Sequence, residues 1–171
     1  SYSPLKQINK SNVKRLVPVW NASVANDQGE LAAPAIYNGV MYVINGKWTF
    51  AIDVETGRQI WRTAVQLETG ITRAPFHRGA PALYNGKLFP GWQGDLFVAA
   101  LAGKHLVRLV LQGERVVGEE RLLLPLDSRI RDVREGPDGA LYVMTDRDNQ
   151  RLLKLVPAKG AKGQSAQTSN R

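Results

Sequence analysis

The sequence predicts an all-β fold assembled from repeated antiparallel units, and three features of the 171 residues support this. A seven-residue phrase occurs twice, as APAIYNG at 33–39 and APALYNG at 80–86, so it recurs after 47 residues. Short runs rich in β-branched and aromatic residues are separated by tight-turn dipeptides. No long amphipathic helical pattern lies between them. A meander of short strands therefore fits the chain better than a helical fold.

The turn dipeptides and the repeat period together indicate propeller-type blades. Asn38-Gly39, Asn85-Gly86 and Asp138-Gly139 each lie between apolar runs, where they are predicted to form hairpin turns. A period of 47 residues is in the range of a propeller blade. The chain has room for about three such blades, whereas propellers usually close with about four to eight. The prediction is therefore an incomplete ring with exposed strand edges.

The elements are expected in the following order. Ser3-Pro4 and Ser11-Asn12 place capping residues before short helical turns near the N-terminus. Short strands follow, with the sequences VPVWNASV, APAIY, VMYVI, WTFAIDV, RQIWRTAV, DLFVAAL, HLVRLVL, RVVGEERLLLPL, IRDVRE, ALYVMT and RLLKLV. Residues 158–171 contain no large apolar side chain and are expected to form a disordered tail.

Composition limits the function classes. The formal net charge is +8, but the 23 Lys and Arg residues are scattered, with no basic helix and no clustered aromatic RNA-binding motif. A basic solvated surface is therefore favoured over a nucleic-acid site. The absence of cysteine excludes disulfides and thiolate metal sites. No apolar run approaches the roughly 20 residues of a membrane span, and the opening SYSPLKQINK does not follow the pattern of a signal peptide.

The first half of the chain carries a motif with a known likeness. The stretch AIDVETGRQIW has Ala51, Asp53, Thr56, Gly57 and Trp61 in the pattern Ala-x-Asp-x-x-Thr-Gly-x-x-x-Trp. It resembles the tryptophan docking motif of the quinoprotein alcohol and methanol dehydrogenases, and the likeness extends over about residues 2–89. Those proteins are eight-bladed propellers holding pyrroloquinoline quinone (PQQ) and a calcium or lanthanide ion. The resemblance implies that the indole wedges between neighbouring blades.

The second half resembles a different quinoprotein family. The stretches FPGWQGDLFVAALAGKHLVRLVL and RIRDVREGPDGALYVMTD are similar to the last part of the soluble PQQ-dependent glucose and aldose sugar dehydrogenases, which are six-bladed. This likeness covers about 84–157. The expected division is an alcohol-dehydrogenase-like part at 1–89, an aldose-dehydrogenase-like part at 90–157 and the tail at 158–171. The two resemblances imply a partial or hybrid quinoprotein dehydrogenase, oxidising CH–OH groups of alcohols or aldoses with PQQ in the periplasm, with calcium as a further candidate.

Two arginines are the leading candidates for cofactor contact. If RIRDV is extended, Arg129 and Arg131 leave one face of the strand and Ile130 enters the opposite layer. A guanidinium group suits planar, bidentate capture of carboxylates, of which PQQ has three. The resemblance to the aldose dehydrogenases implies that these two arginines contact PQQ. The alternative is a solvated pair on an edge strand, with Asp132 as its surface partner.

Arg78 is the third candidate for cofactor contact, Lys104 is a weaker one, and Glu30 is not assigned. Arg78 in HRGAP matches the arginine that approaches the quinone oxygens in the alcohol-dehydrogenase family, although GITRAPF replaces the vicinal cysteine pair usual there. Glu30 lies one residue away from the position of a PQQ-bonding glutamate, and one residue of slip turns a strand side chain to the other face. Lys104 lies two residues after Ala102, which aligns with the lysine that approaches the quinone in the sugar-oxidising family.

No catalytic or metal-ligating residue is assigned. His77 and His105 are the only histidines, and each reads better as structural or solvated than as a general base. Asp146-x-Asp148-Asn149 reads better as a polar hairpin turn than as a calcium loop. The catalytic base and metal ligands come from later blades in the alcohol family and from earlier blades in the sugar family. The isolated chain is therefore expected to be inactive. The alternative is a non-catalytic β-module that binds another copy or another chain through its blade edges.

Overall fold

The computed structural model of the protein describes residues 6–25, 32–64, 79–101, 103–146 and 150–158. Within these residues, eleven strands form three antiparallel sheets of four, four and three strands. The sheets pack face to face in sequence order, and the described residues do not close a ring. The predicted all-β class, with about three propeller-type units and an incomplete ring, is confirmed. The predicted tail lies outside the described residues, apart from its first residue.

The first sheet is a four-stranded meander in sequence order. Asn38 and Gly39 connect its first two strands with φ of 47° and 75°, as a type I′ hairpin turn requires, so this predicted turn is confirmed. Trp61 of the docking motif packs against Tyr42, with ring centroids 6.1 Å apart, at the core between the first and second sheets. The strands are β1 Ala35–Tyr37, β2 Val40–Ile44, β3 Trp48–Asp53 and β4 Gln59–Ala64.

The turn between β3 and β4 is held by its own side chains. The carboxylate of Asp53 accepts hydrogen bonds from the backbone N–H and the hydroxyl of Thr56, at 2.8 and 2.7 Å. Trp20 covers the turn: its indole Nε1 donates to the carbonyl of Val54 at 2.8 Å. The ring lies so close to Gly57 that a Cβ there would be 2.6 Å from it. Only glycine fits at this position beneath the indole.

The N-terminal segment differs in part from the prediction. A single 3-10 turn at Val13–Arg15 confirms one of the two expected helical turns, and Ser3-Pro4 lies outside the described residues. The predicted strand VPVWNASV at 17–24 is wrong, because this stretch forms no ladder. It is held instead by Trp20 and by the Asn45 side chain, which donates to the carbonyl of Val24 at 2.7 Å. Side-chain anchoring therefore replaces strand pairing here.

The second sheet departs from the first at the repeated phrase. Asn85-Gly86 does not form a hairpin turn, and that prediction is wrong. Neither residue has a positive φ, and residues 84–95 form a loop that contains the 3-10 helix Pro90–Trp92. Tyr84, Phe89 and Trp92 pack their rings together and hold this loop in place of a tight turn. The strands are β5 Ala82–Leu83, β6 Leu96–Ala100, β7 His105–Gln112 and β8 Arg115–Leu122.

The third sheet has three strands in the order β11, β10, β9. The β8–β9 connection contains a 3-10 helix at Leu124–Leu126, so the predicted long strand RVVGEERLLLPL ends early, at Leu122. Asp138-Gly139 is confirmed as a hairpin turn, with Gly139 at φ 75° and its N–H bonded to the carbonyl of Gly136. The strands are β9 Arg129–Glu135, β10 Leu141–Asp146 and β11 Leu152–Leu155.

The second sheet is the centre of the core because both of its faces are covered. Every residue of β6 is buried. Leu96, Val98 and Ala100 join the cluster shared with the first sheet, and the alternate residues Phe97 and Ala99 join the cluster shared with the third sheet. This explains why LFVAA is a continuous apolar run rather than an alternating one.

Asp138, in the β9–β10 turn, is expected to make the stability of the protein depend on pH. Asp138 pairs with Lys154 at 2.6 Å, and its pKa is lowered to about 2, first by that contact and then by the Ala140 N–H. A carboxyl whose pKa is lower in the folded than in the unfolded protein stabilises the fold above its unfolded pKa, about 3.9. That contribution is lost as the pH falls from about 4 towards 2.

Urea unfolding of the wild type and of Asp138→Asn at several pH values measures this contribution. We expect a constant difference in unfolding free energy between the two proteins above about pH 5, shrinking as the pH approaches 2. A difference that grows as the pH falls would contradict the assignment.

Candidate functional site

The candidate residues lie where several strand ends meet at one end of the second and third sheets. In the antiparallel ladders, the start of β9 lies opposite the end of β10, and the end of β6 lies opposite the start of β7. The loop before β5 reaches the same place, because the N–H of Gly79 donates to the carbonyl of Ala99 at 3.1 Å. This end of the sheets carries Arg129, Arg131 and Lys104.

A β-bulge in β9 directs the arginines away from the core. Ile130 and Val133 are both fully buried although they are three residues apart, which regular alternation does not allow. Ile130 lies opposite Thr145 and Asp132 lies opposite Met144, so Arg131 is the extra residue of the bulge. Because of the bulge, the Ile130 side chain faces the core as Val133 does, and Arg129 and Arg131 lie on the outer side.

Asp146, the last residue of β10, joins the two arginines. Its Oδ2 accepts a hydrogen bond from Arg129 Nε at 3.1 Å, and its Oδ1 accepts from Arg131 Nε and Nη2 at 2.9 and 2.8 Å. The Asp146 side chain is 7% exposed, whereas Arg129 and Arg131 are 26% and 51% exposed. The pKa of Asp146 is lowered, chiefly by its hydrogen bonds from Arg131 and further by those from Arg129.

The geometry agrees with the expectation that both arginines leave one face opposite Ile130. The alternative interpretation, with Asp132 as the surface partner of the pair, does not match the contacts. Asp132 instead accepts from the Val133 N–H at 2.9 Å and pairs with Arg134 at 3.3 Å. The contact of the two arginines with a cofactor stays a prediction. Asp146, which the sequence analysis assigned to a polar turn, is the residue that brings them together.

For the third candidate, Arg78, the structure describes only the next residue, Gly79. Arg78 lies outside the described residues, as do Glu30, His77, Asp148 and Asn149. Gly79, the next residue along the chain, packs directly against the backbone of Arg131: a Cβ at Gly79 would lie 2.0 Å from the Arg131 carbonyl oxygen. Any side chain at this position would push the start of β9 aside. Gly79 therefore brings the chain just before β5 against the RIRDV strand.

Lys104 and His105 occupy the neighbouring β6–β7 turn. Lys104 has φ 54° and pairs with Asp127 at 2.9 Å, with both side chains well exposed. His105 is 4% exposed, and its Nδ1 lies 2.6 Å from the carbonyl of Gly103, which fits the structural role expected for it. No group of three His, Asp or Glu residues suited to a metal ion occurs within the described ranges. In the same ranges, no helix is long and apolar enough to cross a membrane.

The cluster formed by Arg129, Arg131 and Asp146 is suited to binding an anion. Two guanidinium groups and one carboxylate leave one formal positive charge. Among the described residues, the terminal Nη groups of Arg129 have no protein partner, and Arg131 is half exposed. Guanidinium N–H groups bind carboxylates through charge-assisted hydrogen bonds. The donor chemistry of this cluster therefore fits a carboxylate-bearing group such as PQQ.

Comparison with known proteins finds relatives of both kinds that the sequence resembles, and a family model for one of them. The family model described as Glucose / Sorbosone dehydrogenase matches residues 50–154. The chain is 46% identical over 76 residues to the aldose sugar dehydrogenase YliI of Escherichia coli (strain K12), covering 44% of this chain and 20% of that protein. It is 37% identical over 113 residues to a quinohemoprotein alcohol dehydrogenase of Comamonas testosteroni, covering 61% of this chain and 16% of that protein.

A solved structure supports the same assignment. A glucose dehydrogenase crystal structure matches with a TM-score of 0.54 and 32% identity, covering 71% of this chain and 42% of that one. The chain thus spans a fifth or less of the length of the two curated relatives named above. The family model covers more than half of the chain, from within β3 to within β11. The chain belongs to the glucose/sorbosone dehydrogenase family.

Proposed function

We propose that this chain forms part of a PQQ-dependent oxidoreductase that acts on CH–OH groups of aldoses or alcohols. The observation that carries the proposal is the pair Arg129 and Arg131, converging on Asp146 at the strand ends of the family-matched segment. The names of the relatives, an aldose sugar dehydrogenase and a quinohemoprotein alcohol dehydrogenase, support the reaction class. The resemblance of the same stretches to periplasmic quinoproteins supports a periplasmic location.

The chain's own contribution is to bind and orient the cofactor. The chemistry that PQQ supplies is the two-electron oxidation of a CH–OH group to a carbonyl. Arg129 and Arg131 would bind its carboxylates, each charge-assisted hydrogen bond contributing about 1.5–3 kcal/mol. Arg78 is proposed as a further contact because its neighbour Gly79 lies against Arg131. A general base and ligands for calcium would come from blades beyond the three described sheets.

We also propose that the chain combines an alcohol-dehydrogenase-like part with an aldose-dehydrogenase-like part. The alcohol-dehydrogenase-like part at 1–89 is supported by the motif around Trp61 and by the likeness to the Comamonas protein. The family model of the sugar dehydrogenases begins at Phe50, within the first sheet. The two likenesses therefore overlap across β3 and β4. Such an overlap agrees with a hybrid chain whose two parts meet within the matched segment.

The arginine pair provides the test of PQQ binding. We expect saturable binding of PQQ to the chain, followed by the change in its absorbance, and a loss of at least about tenfold in affinity in Arg129→Ala/Arg131→Ala. This corresponds to about 1.4 kcal/mol, less than one charge-assisted hydrogen bond. Arg134→Ala is the matched control, because this exposed arginine of the same strand pairs with Asp132 instead. Equal binding by all three proteins would contradict the assignment.

The same samples test the expected inactivity. With PQQ and calcium added, dye reduction with glucose, ethanol and methanol is expected to stay at the level of a protein-free control, because no base or metal site is assigned to the chain. Robust turnover with any of these substrates would contradict this.

Assembly with further chains is the second candidate function. The third sheet has only three described strands, and β11 forms no ladder on its outer side within the described ranges. Met144 and Leu152 lie opposite each other across β10 and β11 and are 41% and 71% exposed. A second copy, or blades of another chain, would pair or pack here. The molar mass from light scattering distinguishes the two states: a mass of two or more chains favours assembly.

A further inference from the structure

We propose that Asp146 is a positioning residue: it holds Arg129 and Arg131 side by side so that their free N–H groups present one binding surface to a ligand carboxylate. The inference rests on the proposed function, because PQQ is the ligand it names. Neither the sequence pattern nor the comparisons assign a role to this aspartate.

Each carboxylate oxygen of Asp146 binds one of the two arginines. One carboxylate oxygen binds Arg129 and the other binds Arg131, so a single group fixes both guanidinium planes. The contact to Arg129 uses only Nε, which leaves both of its Nη groups available. Arg131 uses Nε and Nη2 on the same oxygen and keeps Nη1. Among the described residues, both Nη groups of Arg129 and the Nη1 group of Arg131 thus keep no protein partner.

The backbone alone would not fix the arginines in this way. Arg131 is the unpaired residue of the bulge and its side chain is half exposed, so a long, flexible arginine there has many accessible rotamers. Asp146, in contrast, is short and 7% exposed. The preceding residue, Thr145, is anchored by hydrogen bonds in both directions with Arg151, at 2.9 and 2.8 Å. The rigid partner therefore orders the flexible ones.

The negative charge of Asp146 opposes the binding of an anionic ligand, whereas its alignment of the two arginines favours binding. Removing the carboxylate raises the formal charge of the cluster from +1 to +2, which strengthens attraction to any anion at low salt. At about 0.15 M salt the Debye length is about 8 Å, so the longer-range part of that attraction is screened between exposed charges. The alignment of donors is a contact effect that salt does not remove. We therefore expect the loss of alignment to dominate at this ionic strength.

The test uses the full chain and four variants. Asp146→Asn keeps the shape and removes the charge, and Asp146→Ala removes both. Asp146→Glu keeps the charge, and Asp138→Asn is the control, because it breaks an ion pair at the opposite end of the same hairpin. At 0.15 M salt, PQQ affinity is expected to fall at least tenfold in the Asn and Ala variants. It is expected to recover at least partly in the Glu variant and to stay within about twofold of wild type in the control.

A second measurement reports positioning without PQQ. The side-chain Nε–Hε NMR signals of Arg129 and Arg131 are expected to be sharp and protected from exchange in the wild type and in Asp138→Asn, and to be lost in Asp146→Asn. Unchanged signals, or unchanged PQQ affinity in Asp146→Asn, would overturn the positioning role. If the wild type binds no PQQ, the proposed function and the ligand named here both fail, and the NMR signals still decide whether Asp146 orders the arginines.

Discussion

Replacing Asp95 with alanine is expected to lower the free energy of unfolding by about 3–5 kcal/mol, because it removes the buried partner of a buried arginine. Asp95 and Arg108 are 5% and 12% exposed, and the guanidinium Nε and Nη2 both lie 2.7 Å from Asp95 Oδ2. The other carboxylate oxygen accepts from the N–H of Leu111, beside the point where Val117 bulges out of β8. Arg108 also contacts Glu120 and stacks over Trp92. The Arg108 side chain thus joins the 84–95 loop to the central sheet.

Urea denaturation measures this loss, and an exposed ion pair provides the control. Lys104 and Asp127 pair at 2.9 Å, but their side chains are 49% and 80% exposed. Asp127→Asn, which keeps a residue that tolerates the left-handed backbone at this position, is expected to cost less than about 1 kcal/mol, as surface pairs do. A similar cost for the two substitutions would mean that burial does not set the strength of the Asp95–Arg108 pair.

Tyr84→Ala is expected to destabilise the protein by about 3–5 kcal/mol, as the loss of a buried aromatic ring does. Tyr84 is fully buried and contacts the rings of Phe89, Trp92 and Phe97. Its hydroxyl donates to the carbonyl of Gly139 at 2.7 Å and accepts from the Phe89 N–H at 3.0 Å. This residue therefore connects the second sheet to the turn of the third.

The repeated phrase supplies the matched control for Tyr84. Tyr37 holds the same place in the first copy but is 41% exposed, and Tyr37→Ala is expected to cost no more than about 0.5 kcal/mol. Tyr84→Phe separates the hydroxyl from the ring: it should cost about 1–3 kcal/mol by leaving buried polar groups without a partner. Equal effects at positions 37 and 84 in thermal or urea unfolding would show that the two copies are equivalent.

The two copies of the repeated phrase show that the same local sequence can adopt two different conformations. Asn38-Gly39 forms the predicted hairpin turn because β1 and β2 pair immediately on either side of it. Asn85-Gly86 has the same residues but a different outcome. There, the Asn85 N–H donates to Glu135 of the third sheet at 2.6 Å, and the aromatic cluster around Tyr84 stabilises a longer loop. Tertiary partners override the intrinsic preference of the dipeptide for a tight turn.

The sequence predicted only part of the candidate site, because the pairing register of β9 and β10 changes at the bulge. Counted regularly from the Asp138-Gly139 turn, with Glu135 opposite Leu141, Asp146 would lie opposite Ile130 on the core face. The bulge shifts the ladder by one residue, so Asp146 lies opposite Arg129 instead. Nothing in RIRDVRE marks the bulge except the spacing of Ile130 and Val133, which suits one face only if a residue is inserted between them.

By itself, the sequence determined the all-β class, the three-unit organisation and the common face of Arg129 and Arg131, because alternation, turn residues and repeat period are local properties. Only the tertiary structure decided that Asp146 joins the arginines, that Gly79 packs against Arg131, and that the second copy of the phrase forms a loop. These features depend on register shifts and on contacts between residues far apart in the chain. Such contacts are set by how the three sheets pack, and no single segment encodes that packing.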